Sequence, residues 1–380
     1  MTELIEHLKR LVRIPSVSRM SNRPVTDYAA EVLRGNGWTT REITYFDPAG
    51  VEKVNLIAAP ADQSVQAHAV DLAFVCHTDT IPFAPGWEQA LQPYVEDGVL
   101  HGCGACDVKG ILACLLSAAG ASQGRYIGGL RIVLTADEEV GCVGASRLAG
   151  MAQLQAKRMV VGEPTSLRVA RAGKGYCLAR LSFAGREAHS AHPSQGASAI
   201  LAAARMIVAL EELAARLMQE RNELFEPQYT TLNVGTIEGG TAKNIVPGKC
   251  EFLVEWRPVP IKAGARTAAQ TDVLQQIEAL AHAATSADPR VACRIDVLRQ
   301  QAGFETAADA SLVQSIVGLT GRLPTSIPFA SEASVFAGIA DEIVVFGPGD
   351  MRTAHSEREC VPLLELEQAY GVMCSLMSRA

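Results

Sequence analysis

Four short stretches of the chain run apolar and then stop on polar residues: 71–79 (DLAFVCHTD), 130–139 (LRIVLTADEE), 158–165 (RMVVGEPT) and 341–350 (DEIVVFGPGD). A strand buried on both faces reads as a continuous apolar run. A helical pattern lies between two of these runs, at 107–122 (DVKGILACLLSAAGAS). Strands alternating with helices predict an α/β domain with a largely parallel sheet. At the start of the chain, Leu4, Ile5, Leu8, Leu11 and Val12 recur at helical spacing, which predicts a surface helix stopped by Pro15.

The pattern changes from about residue 174. Stretches 175–185 (GYCLARLSFAG) and 250–257 (CEFLVEWR) alternate as half-exposed strands do, with Cys250, Phe252, Val254 and Trp256 on one face of the second. Between them a long helix is expected at 194–220, with Ile200, Ala204, Ile207, Leu210, Ala214 and Leu217 on its apolar side. A second helix at 268–285 and a strand CRIDVLR complete what reads as an α+β insert. The expected organisation is therefore a catalytic domain from 1–173 and 302–380, interrupted by a second domain at 174–301. Residues 58–70 (AAPADQSVQAHAV) read as a flexible loop.

Composition narrows the function. The chain has 380 residues, 48% of them hydrophobic, enough for more than one core. A net charge of −7 spread along the chain, with 5% aromatics, speaks against a nucleic-acid partner. No stretch is long and apolar enough to predict a membrane span. The N-terminal segment is charged throughout, unlike a signal peptide, and ten scattered cysteines fit reduced thiols; a cytoplasmic protein is expected.

All four apolar runs end on chemistry. The first ends on His77 and Asp79, and the second on Asp137, Glu138 and Glu139. The third reaches Glu163, and the fourth leads through GPGDMRTAH to His355. Taken singly, each has an ordinary reading: a packed histidine, a helix cap at Asp107, a solvated turn, a surface histidine. Their joint placement at strand ends, where open parallel sheets bind ligands, is what those readings do not predict. So many carboxylates would repel one another unless a cation sat among them. Imidazoles with carboxylates suit Zn²⁺, Co²⁺ or Mn²⁺, and the number of donors can serve one ion or two. Cys103 and Cys106 form a C-x-x-C without a second pair or a thioredoxin-like context, and Gly102 and Gly104 begin a dinucleotide fingerprint that breaks at Asp107.

The ordered motifs HTDT, CGACDVKG, TADEEVG, GEPT, GREAHSAHP, GGTAKNIVPG, EWRPVP and GPGDMRTAH resemble those of the co-catalytic zinc deacylases and exopeptidases, over residues 5 to 375. The resemblance implies two zinc ions per subunit, with Co²⁺ or Mn²⁺ as possible substitutes. It makes His77 and Glu163 ligands of one ion, Glu139 and His355 ligands of the other, and Asp107 the bridge. Asp79 becomes the acid that holds the His77 ring, and Glu138 the general base. The insert resembles the family's lid and dimerisation domain, so a homodimer is expected. In the lid, His189 corresponds to a histidine that reaches the partner's active site, with His192 as competitor, and Asn244 and Arg257 correspond to residues that hold a substrate carboxylate.

The implied reaction is hydrolysis of an N-acyl amino acid. TADEEVGCVGA, YTTLNVGTIEGG and SEAS (331–334) resemble the members that release acetate from N2-acetyl-L-ornithine in arginine biosynthesis, and Glu332 is expected to receive the cationic end of ornithine or else to buttress its loop. The segment SERECV after His355 and the region around Trp87 depart from that pattern, which leaves N-acetylcitrulline, N-succinyl-diaminopimelate or a neutral acetylated amino acid as alternatives.

Overall fold

The computed structural model describes residues 2–121, 126–151, 154–260 and 272–378. Within them the chain divides into two compact units, Met1–Ala172 with Phe304–Ser326 and Ser331–Ala380, and Gly173–Gly303 with Ile327–Ala330.

The four apolar runs become the strands Ala69–His77, Leu130–Thr135, Gln155–Val161 and Ala340–Val345 of the first unit. They lie side by side in parallel, with the Ala69–His77 strand between the other two early strands and Ala340–Val345 beyond Gln155–Val161. The sheet of nine strands among the described residues is mixed, because Trp38–Phe46 and Glu52–Pro60 add antiparallel strands at one side. Trp38–Phe46 (WTTREITYF) had no apolar run to announce it; it lies at the end of the sheet, and its middle is largely solvated.

The helix Lys109–Ala121 has ten buried residues of thirteen, which explains why its sequence is apolar all round. It sits so close to the sheet that Ile111 occupies the space side chains would need at two glycines. A Cβ on Gly162 would lie 2.8 Å from Ile111 Cγ2, and one on Gly347 would lie 2.2 Å from Ile111 Cδ1. The N-terminal helix runs Thr2–Arg13 and buries Leu4, Leu8, Leu11 and Val12.

The expected loop at 58–70 is shorter and less free than its composition implies. Glu52–Pro60 is a strand, and the remainder is tied down. The buried Arg131 guanidinium donates to the carbonyls of Ser64 (2.6 Å) and Ala67 (3.3 Å), and Gln63 bonds the backbone of Ile127 and Leu130.

The second unit is a four-stranded antiparallel sheet in the order Thr231–Gly239, Lys249–Arg257, Tyr176–Ala184, Ala292–Gln301, with two helices packed on one face. Cys250, Phe252, Val254 and Trp256 are buried on that face. The long helix spans Ala199–Leu217, starting after Ser198, whose hydroxyl caps Leu201 N–H. Its buried face differs from the expected one. Leu210 and Leu217 are buried, but Ala199, Ala202, Ala203, Met206 and Leu213 complete the stripe, and Ala204 is exposed. The cause is size: small alanines let the helix backbone approach the sheet, so Ile200 and Ile207 pack only at the margin. The second helix spans Val273–Ser286 behind its cap Asp272; residues 268–271 of the expected helix, like residue 122 of the earlier one, lie outside the described residues. Among the described residues no helix is long and apolar enough to cross a membrane.

Candidate metal centre

The parallel strands end together, and their polar ends meet. His77 closes its strand, 2% exposed. Its Nε2 lies 3.1 Å from Asp107 Oδ1, and His355 Nε2 lies 3.2 Å from Asp107 Oδ2. One carboxylate thus stands between two imidazoles. His355 Nε2 is also 3.3 Å from Glu139 Oε1. One donor atom each from His77, Asp107 and Glu139 falls within 4.8 Å of the others. Glu138 and Glu163 are enclosed beside them and act on the same charges.

Electrostatics follow from this crowding. Burial raises the Glu138 carboxyl to about 8, with Glu139, Glu332 and Asp79 adding to the rise and His77 opposing it. Burial, then the charge of Asp107, pushes Glu163 well up, and Glu139 is also raised, chiefly by burial. Burial raises Asp107 too, but its hydrogen bonds from His355 and His77 outweigh that and hold it below the usual carboxylate range. His355 is raised to about 10 by its bonds to Asp107 and Glu139. Burial disfavours the His77 imidazolium, yet the bond and charge of Asp107 leave it raised. Carboxylates that retain protons around imidazoles that gain them are a donor set short of positive charge. Imidazole nitrogens and carboxylate oxygens converging in this way fit a divalent cation such as zinc.

Asp79 is used differently from the expectation. His77 Nδ1 bonds the backbone carbonyl of Asp79 at 3.0 Å, whereas the Asp79 carboxylate stands 3.7 Å off. That carboxylate accepts the backbone N–H groups of Glu138 (3.0 Å) and Glu139 (3.2 Å) and the hydroxyl of Ser18 (2.7 Å). The ring is still oriented from residue 79, but by its main chain, and the acid is spent on the turn that carries the two glutamates.

Glu332 is 1% exposed and opens the short helix Glu332–Phe336. Burial raises it to about 7, against the pull of His77. Both of its carboxylate oxygens are buried without a hydrogen-bond partner among the described residues, which singles out neither a cationic substrate end nor a loop contact for it.

Other side chains went unnoticed in the sequence. Glu359, 2% exposed, accepts the backbone N–H groups of Gly104 (2.9 Å), Cys106 (3.1 Å) and Asp107 (3.0 Å). The Cys142 thiol donates to Glu138 Oε1 at 3.3 Å. Glu359 lies in SERECV, the segment that departs from the resembled pattern, and a buried acid in so polar a stretch carries no periodic signal. Cys103 and Cys106 are buried free thiols; burial pushes Cys103 to about 12 and Cys106 well up, so neither is a ready thiolate.

The second unit holds the remaining candidates. His189 sits on a two-residue strand paired with Ile245–Val246, and Ser190 N–H bonds the carbonyl of Asn244 at 2.9 Å, so His189 and Asn244 are neighbours. Ala191 N–H donates to His189 Nδ1 at 3.0 Å, which leaves the ring proton on an exposed Nε2. The His192 ring is 6.2 Å away. Arg257 is half-buried, fixed by Glu255 Oε1 at 2.9 Å and by the Tyr176 ring at 4.8 Å.

The chain matches the model of peptidase family M20/M25/M40 over residues 73–379. It is 41% identical to the acetylornithine deacetylase of Myxococcus xanthus over 367 residues, 96% of this chain and 94% of that protein. Its fold is similar to aminopeptidase PepT from Bacillus cereus, with a TM-score of 0.75, 21% identity and coverage of 99% of this chain and 97% of that one. It is also similar to a Bacillus subtilis protein described as a dinuclear metal binding peptidase, with a TM-score of 0.66, 12% identity and coverage of 99% and 97%.

Proposed function

The chain belongs to peptidase family M20/M25/M40, and from that premise we propose that it is a metal-dependent deacetylase that hydrolyses N2-acetyl-L-ornithine to ornithine and acetate. The observation that carries the hydrolase reading is Asp107 held between His77 and His355 with Glu138 and Glu139 alongside. The acetylornithine reading draws on the Myxococcus relative.

Asp107 would bridge two zinc ions, His77 and Glu163 completing one site, Glu139 and His355 the other. Bound there, the metal pair supplies Lewis acidity to the acyl carbonyl and lowers the pKa of water towards about 7. The chain's own residues do the rest. Glu138, enclosed beside Glu139, takes the proton from the attacking water and returns it to the leaving amine. His189 Nε2–H would donate to the oxyanion in the partner subunit's active site, a role that the hydrogen bond at its Nδ1 supports over His192. Asn244 and Arg257 receive the substrate's carboxylate, and the fixed guanidinium of Arg257 suits a two-point contact. The second unit serves as lid and dimerisation domain. Its outer strand Thr231–Gly239 and the exposed Leu201, Val208 and Ile237 support a homodimer. Ten free cysteines support a cytoplasmic setting.

The test is a panel of N-acetylornithine, N-acetylcitrulline, N-acetylmethionine and N-succinyl-diaminopimelate on zinc-loaded enzyme. Highest kcat/KM on N-acetylornithine is expected. Preference for another member of the panel would keep the hydrolase and replace the substrate.

A further inference from the structure

Resting on the assignment of Glu138 and Glu139 above, we propose that Lys53 is a positioning residue that holds the catalytic turn from the neighbouring strand. Lys53 lies on the strand Glu52–Pro60, directly opposite Tyr45 in the neighbouring strand. It is 1% exposed, yet makes no use of solvent. Its ammonium is 2.8 Å from Asp137 Oδ1, the residue immediately before Glu138. The Tyr45 hydroxyl donates to Asp137 Oδ2 at 2.9 Å. Asp137 has a φ of 58°, a left-handed conformation uncommon outside glycine but open to aspartate. Two residues along the same face of the Lys53 strand, Asn55 accepts Ala136 N–H at 3.0 Å and donates to Gly144 O at 3.0 Å.

The same ammonium reaches the other side of the turn. Lys53 donates to the carbonyl of Ser18, whose hydroxyl donates to Asp79, whose carboxylate accepts the N–H groups of Glu138 and Glu139. The circuit therefore closes on the turn from both ends: Lys53 to Asp137 directly, and Lys53 through Ser18 and Asp79 to the two glutamates. A buried ion pair is by itself weak grounds for stability, and the same ammonium also donates to the carbonyls of Ser18 and Met20. What it adds is direction at Asp137.

Removing Lys53 alone would strand the Asp137 charge, so the decisive variant is Lys53→Met with Asp137→Asn, which leaves no unpaired charge. Trp38→Phe, which removes the bond from Trp38 to Tyr126 at 3.0 Å, serves as a stability control remote from the turn. Hydrogen exchange of the peptide covering 136–144 is expected to quicken about tenfold in the double variant and to stay unchanged in Trp38→Phe. The double variant should recover part of the Tm lost in Lys53→Met alone, short by the carbonyls of Ser18 and Met20 that lose their donor, while kcat stays about 10- to 100-fold low, with KM within about threefold. Unchanged exchange at 136–144, or a kcat that returns together with Tm, would overturn the proposal. If the unaltered enzyme hydrolyses no acyl amino acid, the functional reading has failed, and exchange alone decides the role of Lys53.

Discussion

Glu359 accepts the backbone N–H of Asp107 at 3.0 Å, so one buried acid fixes the main chain of another that stands between two histidines. The arrangement runs against charge: burial and then the Asp107 carboxylate raise Glu359 to about 7, although its three backbone bonds pull the other way. Replacing it by glutamine keeps the shape but puts an amide N–H₂ against at least one N–H donor. Glu359→Gln should weaken metal affinity about 10- to 100-fold, as loss of an outer-sphere partner does. Glu359→Ala should also lower Tm, each unpaired N–H costing about 1–3 kcal/mol. Chelator competition and calorimetry measure both; wild-type affinity in either variant would contradict the role.

Glu138→Gln isolates proton transfer from metal holding. The variant should bind metal as the parent does, with kcat reduced about 10²- to 10⁴-fold. A variant that keeps its rate would assign the base to another group.

Removing metal should make stability fall as pH rises. Glu138, at about 8, and Glu359, at about 7, hold protons in the folded state that an unfolded carboxyl releases near 4.5. Their contribution is full below that value and is lost as pH climbs through 7 to 8. His355 follows the same sign: its folded-state proton stabilises below 6.5 and is lost as pH rises through about 10. Metal-free protein should therefore melt at lower temperature at pH 9 than at pH 6. Zinc should reverse or flatten that slope, because it displaces the protons. A rising Tm in the chelated protein would contradict this charge balance.

Cys103→Ser with Cys106→Ser should leave kcat within about twofold, and reductants should not change activity, because thiols held protonated by burial are poor nucleophiles. Activity lost on this change and tracking added oxidant would restore a redox role for the pair.

The four strand ends were readable because parallel strands buried on both faces must be apolar throughout, so their first polar residue marks the sheet's carboxyl edge. His77 marked its strand end in that way, whereas Glu139, Glu163 and His355 lay beyond theirs and took their roles from the resemblance of the surrounding motifs. Glu359 and Lys53 carried neither signal. Their partners are backbone atoms or an acid far along the chain (Glu359 meets Gly104 across 255 positions), and no local period records such a contact. Asp79 was visible, but the division of labour between its carbonyl and its carboxylate depends on how the chain continues after the strand Ala69–His77. The long helix was found with its face misjudged, because alanine scores weakly in any apolar pattern while permitting the closest approach.

Ile111 sits four positions after Asp107, wedged against Gly162 and Gly347. Gly162 precedes Glu163, and Gly347 begins the run to His355. A hydrocarbon side chain therefore packs where the chain passes on to Glu163 and towards His355. The spacing of the centre is thus tied to core packing, because a side chain at either glycine would have to displace Ile111 and the helix that follows Asp107.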